Sequence, residues 1–263
     1  MNEKKKIQEP VAETVPESVK SVWDRPVKVA IACPWWGRWE ITQKHAKSIV
    51  RFIKESPSWV EISYHCVVSP EDKDHKELLD IAFNSGFQVS EYRNSPVSTK
   101  LNALINLVLD ISKPDYIMNM GSDDLVSADI WPLYKPFIDR GANFFGIDSC
   151  HIIDFYQRKA MFMAIYNDRY PVGVLRMVRA EIIRNIWKYY QFNMYPSKID
   201  RGMDAASMDR MNKVGIIAEV VHVEDQVLTA GLKCNTTINH WLHLSALPCA
   251  KEVPFDVVKK LLP

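Results

Sequence analysis

Two adjacent carboxylates, Asp123 and Asp124, follow the apolar run Tyr116-Ile117-Met118-Asn119-Met120 and the pair Gly121-Ser122. A strand that ends in two acids sets like charges side by side, which costs free energy unless a cation or hydrogen-bond donors offset it. Mg²⁺ or Mn²⁺, hard cations that take oxygen ligands, are natural partners for such a pair. The same residues also suit a helix N-cap, with Ser122 or Asp123 capping the segment after Leu125. Residue type alone leaves both readings open.

The elements that must position these acids can be read from the hydrophobic pattern. Val27 to Cys33 is a continuous apolar run stopped by Pro34, as expected of a buried strand. Ile41, His45, Ile49, Phe52 and Ile53 recur at helical spacing over 40–55. A second strand spans Val60 to Val68, and a helix is expected from Pro70 to about Ser85, with Glu71, Asp72 and Asp74 in its first turn. Phe87 to Tyr92 reads as a third strand, Thr99 to Ile111 as an amphipathic helix and Asp115 to Met120 as a fourth strand. That alternation predicts a parallel α/β sheet with right-handed crossovers, whose ligands gather beyond the carboxyl ends of the strands. Three loops then matter: Pro34–Trp39, Ser69–Asp74 and Gly121–Leu125. Further on, strands are expected at Asn143–Asp148, within Ile152–Ile165 (as a hairpin or a single strand) and at Gly215–Val223. Helices are expected at Arg179–Tyr190, Asp204–Val214 and near 254–262.

Bulk properties narrow the functional class. The 263 residues are 47% hydrophobic and 25% charged, with a formal net charge of +1. Such a chain has ample core and no global basic field to draw it onto nucleic acid or an anionic membrane. The five cysteines are scattered and fit buried free thiols in a reducing, cytoplasmic setting. No apolar run is long enough to span a bilayer, and Lys4-Lys5-Lys6 is followed by no signal-peptide core. Residues 1–26, polar and proline-bearing, read as a disordered N-terminal tail. Marks of P-loop enzymes, classical dinucleotide binders, G-x-S-x-G hydrolases, His-Glu-x-x-His proteases and Cys/His zinc sites are all absent from the sequence.

The stretch Asn119 to Leu125 resembles the acidic motif of the family-2 type GT-A glycosyltransferases, an apolar strand followed by Asp-x-Asp-Asp. Gly121 stands where that pattern has its first Asp, which leaves Asp123 as the principal metal candidate. The resemblance runs in order over about 27–225. It implies a GT-A fold (nucleotide-diphospho-sugar transferase, Rossmann-like), a mostly parallel sheet flanked by helices. It further implies a nucleotide-sugar half at 27–125, an acceptor half at 126–225 and a C-terminal extension at 226–263.

The same resemblance assigns expected roles. Pro34, Trp35 and Trp36 fall in the nucleotide-contacting loop, where the indoles either stack on a base or pack beneath the loop. Lys100 and Asn102, in Ser98-Thr99-Lys100-Leu101-Asn102, fall near the pyrophosphate, with a solvated Lys100 as the alternative. Ser122, Asp123 and Asp124 would meet the nucleotide sugar, with Mn²⁺ or Mg²⁺ on Asp123 and on a late histidine, His240 or His243; a packed or surface histidine is the alternative. Asp204, in Gly202-Met203-Asp204, takes the place of the general base of inverting members, although Met203 replaces their Glu and Asp204 also suits a helix cap. The implied reaction moves a sugar from a UDP- or GDP-type donor to an acceptor hydroxyl on a glycan, a small molecule or a modified DNA base. Two alternatives remain at this level: a sugar nucleotidyltransferase, against which stands a first loop with one glycine (Gly37) among Trp35, Trp36 and Trp39, and a nucleotide-sugar-binding module without catalysis. Arg158, Lys159, Arg169, Arg176, Arg179, Arg184, Lys188, Lys198 and Arg201 form a basic stretch on the acceptor side, open to an anionic acceptor or to solvated helix faces.

Overall fold

A computed structural model describes residues 21–94, 96–164, 170–200, 202–223, 226–234 and 241–263. The first half alternates as its pattern predicts: β1 (Val27–Pro34), α1 (Trp39–Glu55), β2 (Val60–Val68), α2 (His75–Asn84), β3 (Gln88–Glu91), α3 (Val97–Ile111) and β4 (Tyr116–Asn119). These are followed by β5 (Asp124–Val126), α4 (Ile130–Asp139), β6 (Phe144–Ile147), β7 (Ser149–Asp154), β8 (Lys159–Ala164), β9 (Met177–Arg179), α5 (Ala180–Tyr190) and α6 (Met203–Lys213). The remainder is β10 (Glu219–Val221), β11 (Thr229–Lys233), α7 (Trp241–Ser245), β12 (Ala250–Val253), α8 (Phe255–Val258) and a short 3₁₀ turn, Lys259–Leu261.

The strands form two sheets. One runs β10-β6-β9-β4-β1-β2-β3, parallel except for β9, which is antiparallel to both neighbours. Helices pack on both faces, α1 on one side through Ala46, Ile49 and Phe52, α3 on the other through Leu101, Leu104, Ile105 and Val108. The second sheet runs β12-β8-β7-β11-β5. The chain crosses between sheets at the acidic turn, because β4 belongs to the first and β5 to the second. Its third strand from that edge, β7, opens the β7–β8 hairpin, and β11, from the segment read as a C-terminal extension, pairs with both β7 and β5.

Two local expectations change. Helix α2 begins at His75, so Glu71 and Asp72 lie in the loop before it. There the Asp72 carboxylate accepts from the Gly37 N–H at 2.5 Å and from the Asp74 N–H at 3.0 Å, tying the β1 and β2 loops together. Gly37 needs its missing side chain, since its φ is +55°. Of the stretch read as a tail, residues 22–25 are anchored: Trp23 packs on the core with its indole N–H on the Ile138 carbonyl (2.9 Å), and Arg25 forms a two-pronged pair with Asp115 at 2.8 Å. The burial of that indole offsets the ordering entropy that the polar residues around it cannot.

A buried relay fixes the core below the acidic turn. The Trp35 indole donates to Tyr64 Oη (3.0 Å), the Tyr64 hydroxyl donates to His45 Nε2 (2.5 Å), and His45 Nδ1–H donates to the Asp124 carbonyl (2.5 Å). Burial holds His45 neutral, its pKa lowered to about 4, which is what a ring that donates at one nitrogen and accepts at the other requires. Tyr64→Phe leaves the indole N–H unpaired in the core and His45 Nε2 with only the Cys33 thiol, at 3.8 Å. Urea denaturation should show a loss of about 1–3 kcal/mol.

Candidate active site

The ends of β1, β4 and α6 converge on one cavity of about 280 Å³, lined among others by Pro34, Asn119, Gly121, Asp124, Gly173 and Asp204. It opens beside a second, more apolar cavity of about 370 Å³ that shares Cys150, Val172, Gly173 and Asp204 and adds Met163, Arg176, Met208, Lys233 and Leu244. The structure thus brings Pro34, Asp124 and Asp204 to one space. Asn119 stands out in its wall: it is 6% exposed, and neither its amide nitrogen nor its amide oxygen has a hydrogen-bond partner. Buried polar atoms are almost always paired, so an unpaired amide facing a cavity is suited to a polar ligand.

The acidic turn is no helix cap. Asp124 opens β5, which is held by Ala230 and Gly231 of β11, and the next helix begins only at Ile130. Asp123 Oδ2 lies 2.7 Å from Lys233 Nζ and 3.6 Å from Arg38 Nη1. Burial pushes the Asp123 carboxyl up, but Lys233 and Arg38 outweigh it and hold the group ionised below its usual range. Asp124 instead turns back, accepting from the Gly121 N–H at 2.6 Å. Burial first and the Asp123 charge second raise it to about 7. Ser122 is 5% exposed and lies 3.4 Å from Arg38 Nη2.

The donor set does not fit a divalent cation. Gly121 carries no ligand, and a Cβ there would lie 2.9 Å from Asp123 Oδ1 and 3.2 Å from Asp124 Oδ2, so an acid at that position needs both carboxylates displaced. Asp124 is engaged with its own backbone, and a lysine occupies Asp123. Among the described residues no three His, Cys, Asp or Glu side chains are grouped to hold a metal. His240, the expected second ligand, lies outside the described residues, as does the His243 side chain.

The other expected residues divide between ligand-facing and structural. Trp36 is 41% exposed, with Lys100 Nζ over its ring 5.8 Å from the centroid, whereas Trp35 is fully buried and serves the core relay, so of the two indoles the second reaches solvent. Lys100 is a correction: it is neither solvated nor free for an anion. Its ammonium is buried and donates to the Trp35 carbonyl (2.6 Å), Ser69 Oγ (2.7 Å) and Asn94 Oδ1 (3.3 Å), lacing together the loops after β1, β2 and β3. Burial lowers its pKa to about 8. Asn102 clamps the backbone of Tyr195, donating to its carbonyl (3.0 Å) and accepting from its N–H (3.2 Å). Its amide is spent inside the protein.

Asp204 lies in the first turn of α6 with a 64% exposed side chain and caps nothing. Arg176 steers it. That guanidinium, 4% exposed, donates to the Val172 carbonyl (2.8 Å) and the Asp204 carbonyl (3.3 Å) and lies 3.5 Å from Asp204 Oδ1. The basic stretch therefore includes one buried, site-forming arginine; Arg169 and Arg201 lie outside the described residues. Any Cβ at Gly173 would overlap the Asp204 carboxylate, so the glycine leaves that carboxylate the place it occupies. Sequence reasoning missed Arg38, Lys233 and Asn119, and held Arg176 only as one of a basic stretch on the acceptor side. Only Asn119, a polar residue ending an apolar strand, carried a local signal.

The raised Asp124 pKa has a defined consequence for stability. Because its folded-state value of about 7 exceeds its ordinary 3.8, the folded chain binds the proton more tightly, and stability falls as pH rises between those values. Asp124→Asn removes that cost while keeping an oxygen for the Gly121 N–H. Thermal denaturation should show a Tm gain of about 2–5 °C at pH 8 that vanishes near pH 4.

No known family profile matches the chain, and no curated protein matches it. Among solved structures it is similar to TarS residues 1–349 of S. aureus, with 11% identity and a TM-score of 0.55, over 78% of this chain and 60% of that one. It is also similar to the mannosyltransferase PcManGT of Pyrobaculum calidifontis, a structure in complex with GDP-Man and Mn²⁺, with 13% identity and a TM-score of 0.55, over 87% of this chain and 63% of that one. The chain thus spans about three fifths of the length of each. Among the described residues no helix is long and apolar enough to cross a membrane. At such identities the likeness speaks for architecture, and the architecture is a GT-A-like glycosyltransferase fold.

Proposed function

We propose that the chain transfers a sugar from a nucleoside-diphosphate donor to an acceptor hydroxyl, with Asp204 as general base. The observation that carries this reading is the shared cavity, where an exposed carboxylate on α6 faces the acidic turn at the end of β4 across one recess. In this pose the nucleoside lies along the Pro34–Trp36 loop and stacks on Trp36. The sugar reaches the cavity, and Asn119 satisfies its amide on sugar hydroxyls. Asp204 takes the acceptor proton as that oxygen attacks the anomeric carbon, and the carbon–oxygen bond to the diphosphate breaks with its electron pair on the phosphate oxygen. Such a displacement inverts the anomeric centre. The apolar lining of the adjoining 370 Å³ cavity supports an acceptor that carries an apolar or aromatic portion beside its hydroxyl.

A melting screen of UDP- and GDP-linked sugars tests the donor assignment, since a ligand that binds only the folded state raises Tm by mass action. If no donor of either kind moves Tm, the reading fails. Transfer is followed with radiolabelled donor on glycans, small hydroxylated molecules and hydroxymethylated DNA. Asp204→Asn should lower transfer by about 10²–10⁴-fold and leave donor affinity within about threefold. Gly173→Ala, which displaces the same carboxylate, should reproduce most of that loss without changing the residue that reacts.

A further inference from the structure

The acidic turn lacks a metal's ligands but does not lack positive charge. We infer that Lys233 and Arg38, rather than a divalent cation, hold the diphosphate leaving group, so that this site works without metal. The inference rests on the reading proposed above and assigns it residues that the acidic-motif pattern does not contain.

Three observations carry it. First, two cations converge on one carboxylate at the turn: Lys233 Nζ lies 2.7 Å and Arg38 Nη1 3.6 Å from Asp123 Oδ2. Asp124, the other acid there, is turned to the Gly121 N–H, and a lysine's and an arginine's N–H donors outnumber these contacts, which leaves donors for an anion. Second, the two cations border different recesses. Arg38 lines a groove of about 500 Å³ with Trp36, Trp39, Lys73 and the acids Glu40 and Asp74, and Lys233 lines the cavity that holds Asp204. A nucleoside-diphosphate sugar laid from Trp36 to Asp204 places its diphosphate across both. Third, both cations are built in. Lys233 is 13% exposed, and Gly231 leaves its ammonium room, since a Cβ there would sit 3.2 Å from it. The Leu232 N–H donates to the Asp123 carbonyl at 2.7 Å, locking strand to turn. Arg38 keeps a left-handed backbone, φ 52°, where glycine would be unstrained.

As the anomeric carbon–oxygen bond breaks, the electron pair passes to the diphosphate oxygen, and the two cations stabilise the new charge without forming a bond to it. Asp123 is then a positioning residue that holds both cations in place before the donor arrives.

Calorimetry of UDP and GDP on the whole chain, once with EDTA and once with Mn²⁺, decides the question. The inference expects the same affinity, within about threefold, in both conditions. It expects at least tenfold weaker binding for Lys233→Ala and Arg38→Gly, with affinity restored in Lys233→Arg. Arg38→Gly relieves backbone strain and should melt no lower than the parent, so its loss of binding is not a loss of fold. Asp123→Asn takes the counter-charge away from both cations and should make UDP and GDP affinity fall more steeply with added salt than in the parent. Binding that requires Mn²⁺, or full affinity in Lys233→Ala and Arg38→Gly, overturns the metal-free site but leaves a sugar-transfer reading standing. If neither nucleotide binds in either condition, both fall together.

Discussion

Two neighbouring, partly buried carboxylates sit where the chain leaves one sheet and enters another, and accommodating them is the constraint on which this structure turns. Each acid, taken alone, would pay a desolvation cost if it stayed charged. The two are resolved differently. Asp123 stays ionised because Lys233 and Arg38 reach it, and Asp124 drifts toward neutrality because burial and the Asp123 charge both oppose its ionisation. One turn therefore contains a strong local dipole and a near-neutral acid, separated by a single peptide.

The rest of the fold serves that turn. The Trp35–Tyr64–His45 relay ends on the Asp124 carbonyl. Ser48 of α1 accepts from the Val126 N–H at 3.0 Å, and β11 clasps β5 from the other side. Around it, Lys100 draws the ends of β1, β2 and β3 to one point. A lysine whose charge is held inside by three oxygens orders loops that would otherwise fray. Such satisfied buried polar groups specify geometry more than they add stability.

Asp204 is set by another principle. It keeps its solvent exposure and is oriented by a neighbour, Arg176, whose own position is fixed by the Val172 carbonyl and Ser207. A reactive carboxylate that is accessible yet held in direction suits proton transfer better than one paired tightly in the interior. The Gly173 backbone passes close beside it, and any Cβ there would push the Asp204 carboxylate out of this position.

The alternation of apolar runs and amphipathic helices over the first half was legible in the sequence, because burial on both faces of a parallel sheet writes a local, repeating pattern. The acid pair was legible for the same reason: a strand end and its next residues are neighbours in the chain. The partner of those acids was not. Lys233 lies 110 residues beyond Asp123, on a strand whose five residues, Thr229–Lys233, carry no distinguishing pattern, and only sheet pairing brings it home. The fates of Trp35 and Lys100 were equally hidden, since a side chain's type states what it can bond to but not whether it faces solvent or core. Contacts between distant segments decide that, and they exist only once the chain has closed.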